Sequence, residues 1–378
     1  MIRRLLTKLG LLCLPLILLT LALIGLAWHA GETMPVSAIV ERQQTEAAVI
    51  YAPAVTEKIW DYKLESYQAR RPEILILGNS LMLQIRDAFF NKQPAAVYNA
   101  GVGGWWLQQI VDFYQSLEHS PALIIALMDF GWFNGETAPD SAGTYFGPLR
   151  ADAYGSVRQE VIETAHRVLG GKLSIAQILN QRDPVAGGQS LGLEAIGRGT
   201  GYRADGSRQL SFSGESTSIQ NEKRASALKD FNFAGARFTP GSRINEDSFA
   251  MLEAFLAQVK ADGLTLIGLT TPYHFLVHER IREAGNFLNM DLILARMQEL
   301  FAAYGFPYHH FSDMRAYGAN GSEWYDSHHL NESGALLVLS VLFERHPDLF
   351  EDYVNQEAVK ALLANMRNPM DVLNELAK

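Results

Sequence analysis

The chain has 378 residues, of which 48% are hydrophobic and 19% are charged, so it can bury a sizeable core and is not generally disordered. Its net charge of −9, without a basic stripe beside the aromatic residues, argues against a nucleic-acid-binding surface. An acidic polymer stays open as a substrate, because local charge can oppose the net charge.

The first 30 residues are a separate segment. Three basic residues among the first eight precede an apolar stretch, Leu11–Trp28, that is long enough to cross a bilayer with slight thinning. This basic flank places the N-terminus in the cytoplasm and the bulk of the chain in the periplasm or outside the cell. A cleavable signal peptide is the alternative, but Trp28-His29-Ala30 is a poor cleavage site. We therefore expect a single-pass anchor over residues 1–30 in the inner membrane of a bacterium.

The exported part of the chain has no cysteine, since the only one, Cys13, lies inside the apolar stretch. A bacterial extracytoplasmic protein stabilised by its core, without disulfides, fits this composition. Residues 31–70 are predicted as a polar connector with some helix, because apolar residues in Thr56–Arg70 recur at helical spacing.

The first strand of the main domain is predicted at Ile74–Leu77, where four branched apolar residues indicate a strand buried on both faces. Gly78 then permits a tight turn, and the amphipathic run 81–90 predicts a helix. Ser80 thus stands at the carboxyl end of a parallel strand, beside helix N-terminal amides, where open α/β sheets bind ligands. The alternative is that Ser80 only caps the helix.

Strands and helices alternate through most of the remaining chain, which predicts parallel βαβ units. The further predicted strands are Ala95–Asn99, Ala122–Met128, Leu264–Leu269 and Pro307–Phe311. The predicted helices are Trp105–Leu117, Ala153–Leu169, Glu246–Asp262, Asp291–Tyr304, Glu332–Phe343 and Glu357–Leu376. The pattern loosens at about 135–241, where we predict an insertion that covers the sheet edge. A surface excursion without function is the alternative there.

A motif near the C-terminus can complete a catalytic set with Ser80. Asp326 stands three residues before His329, and Leu-Asn and Gly334 then open an apolar helix. His329 would activate the serine, and Asp326 would hold the imidazole in its productive tautomer. The D-x-x-H spacing and the following Leu-Asn favour His329 over its neighbour His328.

In these motifs the chain resembles the SGNH (GDSL-like) hydrolase family over roughly residues 70–345, interrupted by a long divergent middle. The matching blocks are Gly78-Asn79-Ser80, then Asn99-Ala100-Gly101-Val102-Gly103-Gly104, and finally Asp326 with His329. Three blocks in the family's order are more specific than any one of them. The resemblance implies a three-layer α/β/α domain with about five parallel strands at 71–350. The amphipathic pattern of the tail predicts a C-terminal helix at 351–378.

The resemblance also implies three oxyanion donors: the N–H groups of Ser80 and Gly104 and an Asn side chain from a third block. This chain departs from the family at the third block, where Met128-Asp129 stands in place of an Asn-bearing turn. Asn134 is one candidate for the missing donor. The alternative is that Asp129 shapes the site. An ionised carboxylate cannot donate a hydrogen bond to an oxyanion, so Asp129 would pair with His274 or bind substrate hydroxyls.

Tyr273 and His274 follow another predicted strand and are expected to bind substrate beside the triad. With Asp129-Phe130, the Pro272-Tyr273-His274 sequence resembles a membrane-anchored SGNH-like group associated with bacterial envelope glycans. A loop histidine that bonds locally is the alternative for His274.

Metal and cofactor motifs are weak. His274 and His278 have H-x-x-x-H spacing, but Phe275 stands where the zinc-protease motif needs Glu, and no third ligand is obvious. The glycines at 101, 103 and 104 do not form a dinucleotide fingerprint. We therefore predict neither a metal nor a cofactor.

These observations predict an extracytoplasmic serine esterase or O-acyltransferase that acts on acyl groups, chiefly acetyl, of an envelope or exported polysaccharide. Its expected partners are that glycan and a membrane-bound acyl-transfer or polysaccharide-assembly protein. A non-catalytic glycan-binding or assembly factor on the same fold is one alternative. A lipid or thioester hydrolase is the other.

Overall fold

The computed structural model of the chain describes residues 2–46, 48–137, 153–229, 231 and 238–373. Nine strands occur within these residues: β1 Val49–Tyr51, β2 Ile74–Leu77, β3 Val97–Asn99, β4 Leu123–Leu127, β5 Gln189–Leu191, β6 Gly201–Tyr202, β7 Arg208–Gln209, β8 Thr265–Thr270 and β9 Tyr308–His310.

The same residues form fifteen α-helices: α1 Ile2–His29, α2 Val36–Thr45, α3 Lys58–Arg70, α4 Leu107–Gln115, α5 Phe130–Phe133, α6 Ala153–Leu169, α7 Ile175–Asn180, α8 Leu193–Arg198, α9 Thr217–Lys229, α10 Glu246–Ala261, α11 Phe275–Ala284, α12 Asn289–Tyr304, α13 Glu332–Arg345, α14 Pro347–Phe350 and α15 Gln356–Asn365. Short 3-10 helices lie at Ser80–Met82, Asp87–Phe89, Pro94–Ala96 and Met314–Tyr317.

The described residues divide into two compact units. The first unit takes those within 1–62, 148–204 and 209–211, and the second takes those within 63–147, 205–208 and 212–378. The segments predicted as anchor, connector and first part of the insertion thus fall largely into one unit. The second unit holds the predicted catalytic motifs.

A five-stranded parallel sheet forms the centre of the second unit, in the order β3-β2-β4-β8-β9. Every residue of β2 and β4 is buried, as the run of branched apolar residues predicts. This confirms the predicted α/β class with about five parallel strands. The chain passes from β2 to β3 on one side and then to β4 on the other, so the switch point of the topology lies at the carboxyl ends of β2 and β4.

Most predicted elements of this unit are present with small shifts at their ends, but the predicted helix at 81–90 is wrong. Two separate 3-10 turns, Ser80–Met82 and Asp87–Phe89, stand in its place. The reason lies in β3, where Asn99 Nδ2 donates to the carbonyl oxygens of Met82 at 2.8 Å and Ile85 at 2.9 Å. Both oxygens are bound by a side chain, and Met82 O accepts from Ile85 N–H at 3.1 Å, an i to i+3 bond instead of an α-helical one.

The C-terminal helix is shorter than predicted, because α15 ends at Asn365 instead of reaching 376. Pro369 follows closely and disfavours helical backbone before it. The tail then packs on the start of α13, where Ser333 N–H donates to Pro369 O at 3.0 Å and Val372 N–H donates to Glu332 Oε2 at 3.2 Å. The last predicted helical residues, 374–376, lie outside the described part.

The first unit contains α1, whose stretch Gly10–His29 is long and apolar enough to cross a membrane. A small sheet lies in this unit, with β1 parallel to β5 and antiparallel to β6. A cluster of buried apolar residues forms part of its core: Ala30, Leu173, Ile178, Leu193 and Ile196. The predicted connector therefore contributes a strand and helices to a folded unit.

Candidate active site

Ser80 opens a single 3-10 turn directly after β2. Gly78 is required before it, because a Cβ there would lie 2.5 Å from Met82 Cγ. Asn79, which is 1% exposed, caps the turn: its Oδ1 accepts from Leu81 N–H at 3.0 Å, and its carbonyl accepts from Met82 N–H at 3.1 Å. The backbone is thereby fixed on both sides of the half-buried Ser80.

The same Asn79 side chain joins this turn to the end of β4. Its Nδ2 donates to Asp129 Oδ2 at 2.7 Å, and Asp129 Oδ1 accepts from Gly131 N–H at 3.1 Å as the cap of α5. Asp129 is only 2% exposed. It therefore positions Asn79, which differs from its predicted contact with substrate hydroxyls. Among the described contacts, the predicted pair between Asp129 and His274 is not formed.

His329 bridges Ser80 and Asp326. Its Nε2 lies 2.9 Å from Ser80 Oγ, and its Nδ1 lies 2.7 Å from Asp326 Oδ2. The His329 backbone N–H also donates to Asp326 Oδ1 at 2.7 Å. Because an ionised carboxylate only accepts, Nδ1 carries the proton and Nε2 accepts from the serine hydroxyl. The structure thus brings the three predicted catalytic residues into one chain of hydrogen bonds.

Asp326 is held in its ionised form. Burial by itself raises the pKa of this carboxyl group, but the hydrogen bond and charge of His329, with those of His328, outweigh it and lower the pKa. Tyr325 stacks on the His329 ring with centroids 5.2 Å apart and planes 2° from parallel, which fixes the ring orientation.

The neighbouring His328 does not take the place of His329. Its Nδ1 lies 2.9 Å from Ser327 Oγ, and its ring meets Phe238 edge-on at 5.5 Å. The choice of His329 made from the D-x-x-H spacing agrees with this geometry.

The Leu-Asn pair after His329 has a structural role. Asn331 Oδ1 accepts from Gly334 N–H at 3.0 Å and so caps α13, while its Nδ2 donates to Ser322 O at 2.6 Å across the loop. Gly334 is needed because a Cβ there would lie 2.2 Å from Glu323 O. These contacts close the loop that carries the Asp326–His329 pair.

The glycine turn after β3 lies beside the nucleophile. Gly104 has a φ of +82°, which glycine adopts without strain. Gly103 lies close to the serine, because a Cβ at position 103 would be 3.9 Å from Ser80 Cβ. The sequence motif selected only Gly104, and the structure places Gly103 close to Ser80 as well.

Asn134 is not placed with these residues. It is 0% exposed, its Nδ2 donates to Thr239 O at 2.6 Å, and its Oδ1 accepts from Asn289 Nδ2 at 2.7 Å. A short helix, α5, separates it from Asp129 and carries it into the interior. The amide therefore ties loops together, and the predicted oxyanion role has no support in these contacts.

Tyr273 and His274 are buried and contact protein. Tyr273 packs on Phe238 with ring centroids 5.1 Å apart. His274, 3% exposed, caps α11 by accepting from Leu276 N–H at 3.2 Å, and its ring meets Trp324 at 5.2 Å. The contacts of His274 match the alternative interpretation, a histidine that bonds locally. The substrate role of Tyr273, which also lines a cavity together with Thr270 and Thr271, stays a prediction.

The imidazole of His274 is neutral at neutral pH. Burial lowers its pKa from 6.5 to about 4, and the positive charge of Arg224 acts in the same direction. At neutral pH His274 therefore cannot supply a positive charge to pair with Asp129.

Two further features were not found from the sequence. Ligand atoms of Asp326, His328 and His329 lie within 4.8 Å of one another, so these side chains can share a metal ion. A cleft of about 510 Å³ also lies near the carboxyl end of β9, with polar lining residues His278, Arg282, Asp291, His310 and Ser312. The cleft residues share no linear motif, whereas Asp326, His328 and His329 lie within the four positions already predicted as the catalytic D-x-x-H motif.

No family model matches the chain, and no curated protein matches it either. The resemblance to SGNH hydrolases therefore stays a prediction from three motifs. The geometry around Ser80 carries the functional argument.

The Asn79–Asp129 contact predicts a compensating exchange. Asn79→Asp would oppose two carboxylates and Asp129→Asn would oppose two amide NH₂ groups, so each single change should lower stability by roughly 2–3 kcal/mol. The exchanged pair Asn79→Asp/Asp129→Asn keeps both caps and restores the donor and acceptor. Its melting temperature should recover most of the loss, and a double variant no more stable than either single one would contradict this arrangement.

His274 predicts a defined pH dependence of stability. Between pH 6.5 and about 4 the unfolded chain binds a proton here that the folded chain does not, so acidification through this window lowers the free energy of unfolding. His274→Asn keeps a cap acceptor and should lose about 1–3 kcal/mol less than the wild type between pH 7 and pH 4, by urea denaturation. The exposed His166→Asn is the control. Equal losses in wild type and His274→Asn would show that His274 titrates normally.

Proposed function

We propose that this protein is a serine esterase or O-acyltransferase that acts, outside the cytoplasmic membrane, on acyl groups of an envelope or exported polysaccharide. The observation that carries the proposal is the hydrogen-bonded chain Ser80–His329–Asp326 at the switch point of a parallel sheet. Membership of the SGNH family and its three-layer α/β/α fold belong to the same proposal, supported by the three motifs.

The first half-reaction forms an acyl-enzyme. Ser80 Oγ bonds to the ester carbonyl carbon, its proton passes to His329 Nε2, and the carbonyl π electrons move onto oxygen. Asp326 stabilises the imidazolium that forms. When the carbonyl reforms, the alcohol leaves with the proton from His329, and the acyl group stays on Ser80.

The second half-reaction repeats these steps with a new nucleophile. Water releases the acid, whereas a sugar hydroxyl receives the acyl group as a new ester, so one site serves hydrolysis and transfer. The N–H groups of Ser80 and of Gly103 or Gly104 stabilise the oxyanion, and loss of one such donor typically costs about 10²–10³ in rate.

The location rests on α1. This helix is long and apolar enough to cross a membrane, and three basic residues among the first eight favour a cytoplasmic N-terminus. The glycan substrate and acetyl as the main acyl group rest on the resemblance to anchored, envelope-associated proteins.

A metal-dependent hydrolase is a second candidate, favoured by the closeness of Asp326, His328 and His329. In that case Asp326 and both histidines would hold the ion, and the ion would supply an activated water as the nucleophile. The serine mechanism needs only His329, so the two candidates differ in the importance of His328.

Ser80 should be essential for ester cleavage. With the full-length protein in detergent and a chromogenic acetyl ester, Ser80→Ala and His329→Ala should each lower kcat/KM by about 10⁴-fold or more. His328→Gln is the matched control and should keep most of the activity, also in the presence of a chelator. Equal loss in His328→Gln, together with loss on chelation, would identify the metal-dependent candidate.

Substrate panels distinguish the remaining classes. Wild-type activity on acetylated glycans is expected, while a preference for lipid esters or thioesters would move the assignment to those substrates. Wild type that cleaves none of these esters but binds glycans would contradict the enzymatic proposal and support a binding or assembly factor.

The proposed topology predicts where the C-terminus lies. A reporter that is active only in the periplasm, fused after Lys378, should be active, and the protein should stay with membranes after washing at high salt. Because an uncleaved anchor is expected, N-terminal sequencing should find residues before 30 in the mature protein. A soluble mature form that starts near Gly31 would contradict the anchor and favour a signal peptide.

A further inference from the structure

The proposed reaction lacks the side-chain donor that the SGNH resemblance implies. Asp129 Oδ2 and Oδ1 accept from Asn79 and Gly131, and the amide of Asn134 is engaged with Thr239 and Asn289. A third side-chain donor would therefore come from another part of the second unit.

The segment Asp205–Arg208 belongs to this unit and is fixed beside the glycine turn. Asn99 N–H donates to Asp205 O at 2.8 Å, and the fully buried Lys63 donates from Nζ to Asn99 O at 2.8 Å and to Gly206 O at 2.5 Å. Gly206 has a φ of +79°, and a Cβ there would lie 2.0 Å from Asn99 O. These contacts fix the position of the segment against the end of β3.

Arg208 is held directly after the nucleophile turn. Its N–H donates to Leu83 O at 2.8 Å, and its carbonyl accepts from Gln84 Nε2 at 3.1 Å. Its backbone is therefore bound to residues three and four positions after Ser80, which sets the starting point of the side chain.

The guanidinium and the nucleophile both lie near Gly103. The place that a Cβ would occupy at position 103 is 3.9 Å from Arg208 Nη1 and 3.9 Å from Ser80 Cβ. The two groups are thus no more than twice that distance apart. Gly103 itself places no side chain beside these two groups, so a substrate carbonyl bonded to Ser80 has room to approach there.

We infer that Arg208 supplies the third oxyanion donor, in place of the Asn of the SGNH motif. This inference rests on the proposed function. A guanidinium has five N–H donors and a fixed positive charge, and its hydrogen bonds to an anionic oxygen are stronger than those of a neutral amide. It therefore stabilises the charge that develops on the carbonyl oxygen while Ser80 attacks.

The test compares Arg208→Gln, Arg208→Lys and Arg243→Gln in the full-length protein. Arg208→Gln should lower kcat for the acetyl ester by about 10²–10³-fold with little change in KM, because the contact forms in the transition state. Arg208→Lys keeps the charge and should retain part of the rate. Arg243, whose side chain is 72% exposed and pairs with Glu136, is the matched control and should leave kcat unchanged.

A fluorophosphonate probe gives a readout that does not depend on the choice of ester. Ser80 Oγ bonds to phosphorus, fluoride leaves, and the proton passes to His329, while negative charge grows on the phosphoryl oxygen. Labelling of Arg208→Gln should slow by a similar factor, with the melting temperature unchanged, which a merely structural role would not produce.

Gly103→Ala is an independent variant. The new methyl group would be in ordinary van der Waals contact with Ser80 and Arg208, so the chain should fold as before. The methyl would occupy the space for the oxyanion and should lower kcat/KM at least about tenfold, since the donor can no longer close on the carbonyl.

The outcomes separate the two proposals. Wild type that neither cleaves esters nor reacts with the probe at Ser80 overturns both. An active wild type whose kcat and labelling rate are unchanged in Arg208→Gln overturns only the role of Arg208. A rise in KM confined to substrates that carry a carboxylate or phosphate, with kcat unchanged, also overturns it and makes Arg208 a site for substrate anions.

Discussion

The hydrogen bond from Asn79 to Asp129 joins the carboxyl ends of the two central strands, and the site is assembled around it. One side chain performs two tasks, since the Asn79 oxygen caps the Ser80 turn while its nitrogen reaches the next strand. Both groups are almost completely buried, so water does not compete for this bond. As a consequence, Asp129, which stands at the position where the SGNH motif has a donor, has a structural role.

In the proposed mechanism, the remaining donor comes from Asp205–Arg208, a segment that is distant in sequence from the Ser80 turn. Asp205–Arg208 belongs to the second unit, although the residues on both sides of it belong to the first unit. Lys63 clamps this segment to β3 by binding two carbonyl oxygens. Burial strongly lowers the pKa of this lysine, because a charged amine in the core costs free energy. The two hydrogen bonds of the clamp offset part of that cost.

The sequence was sufficient for the parallel sheet and for the Ser80–His329–Asp326 set, because fully apolar strands and short motifs are local signals. The helix predicted at 81–90 failed since Asn99, far along the chain, binds the carbonyl oxygens of Met82 and Ile85. The burial of side chains could not be predicted from the sequence either. His274 and Asp129 follow strands as predicted, but both side chains are buried and cap helices. Arg208 could not be selected because no motif links it to Ser80, and only the fold brings them together.

The end of α1 has a consequence for how the chain matures. Ala30 is buried among Leu173, Ile178, Leu193 and Ile196, its carbonyl accepts from Gly192 N–H at 2.5 Å, and Gln181 donates to His29 O. The last turn of α1 is therefore part of the core of a folded unit, and the helix continues directly into that unit. A peptidase that cut at this junction would meet a packed, hydrogen-bonded backbone, so folding of the first unit protects the helix from removal, and any processing has to precede folding.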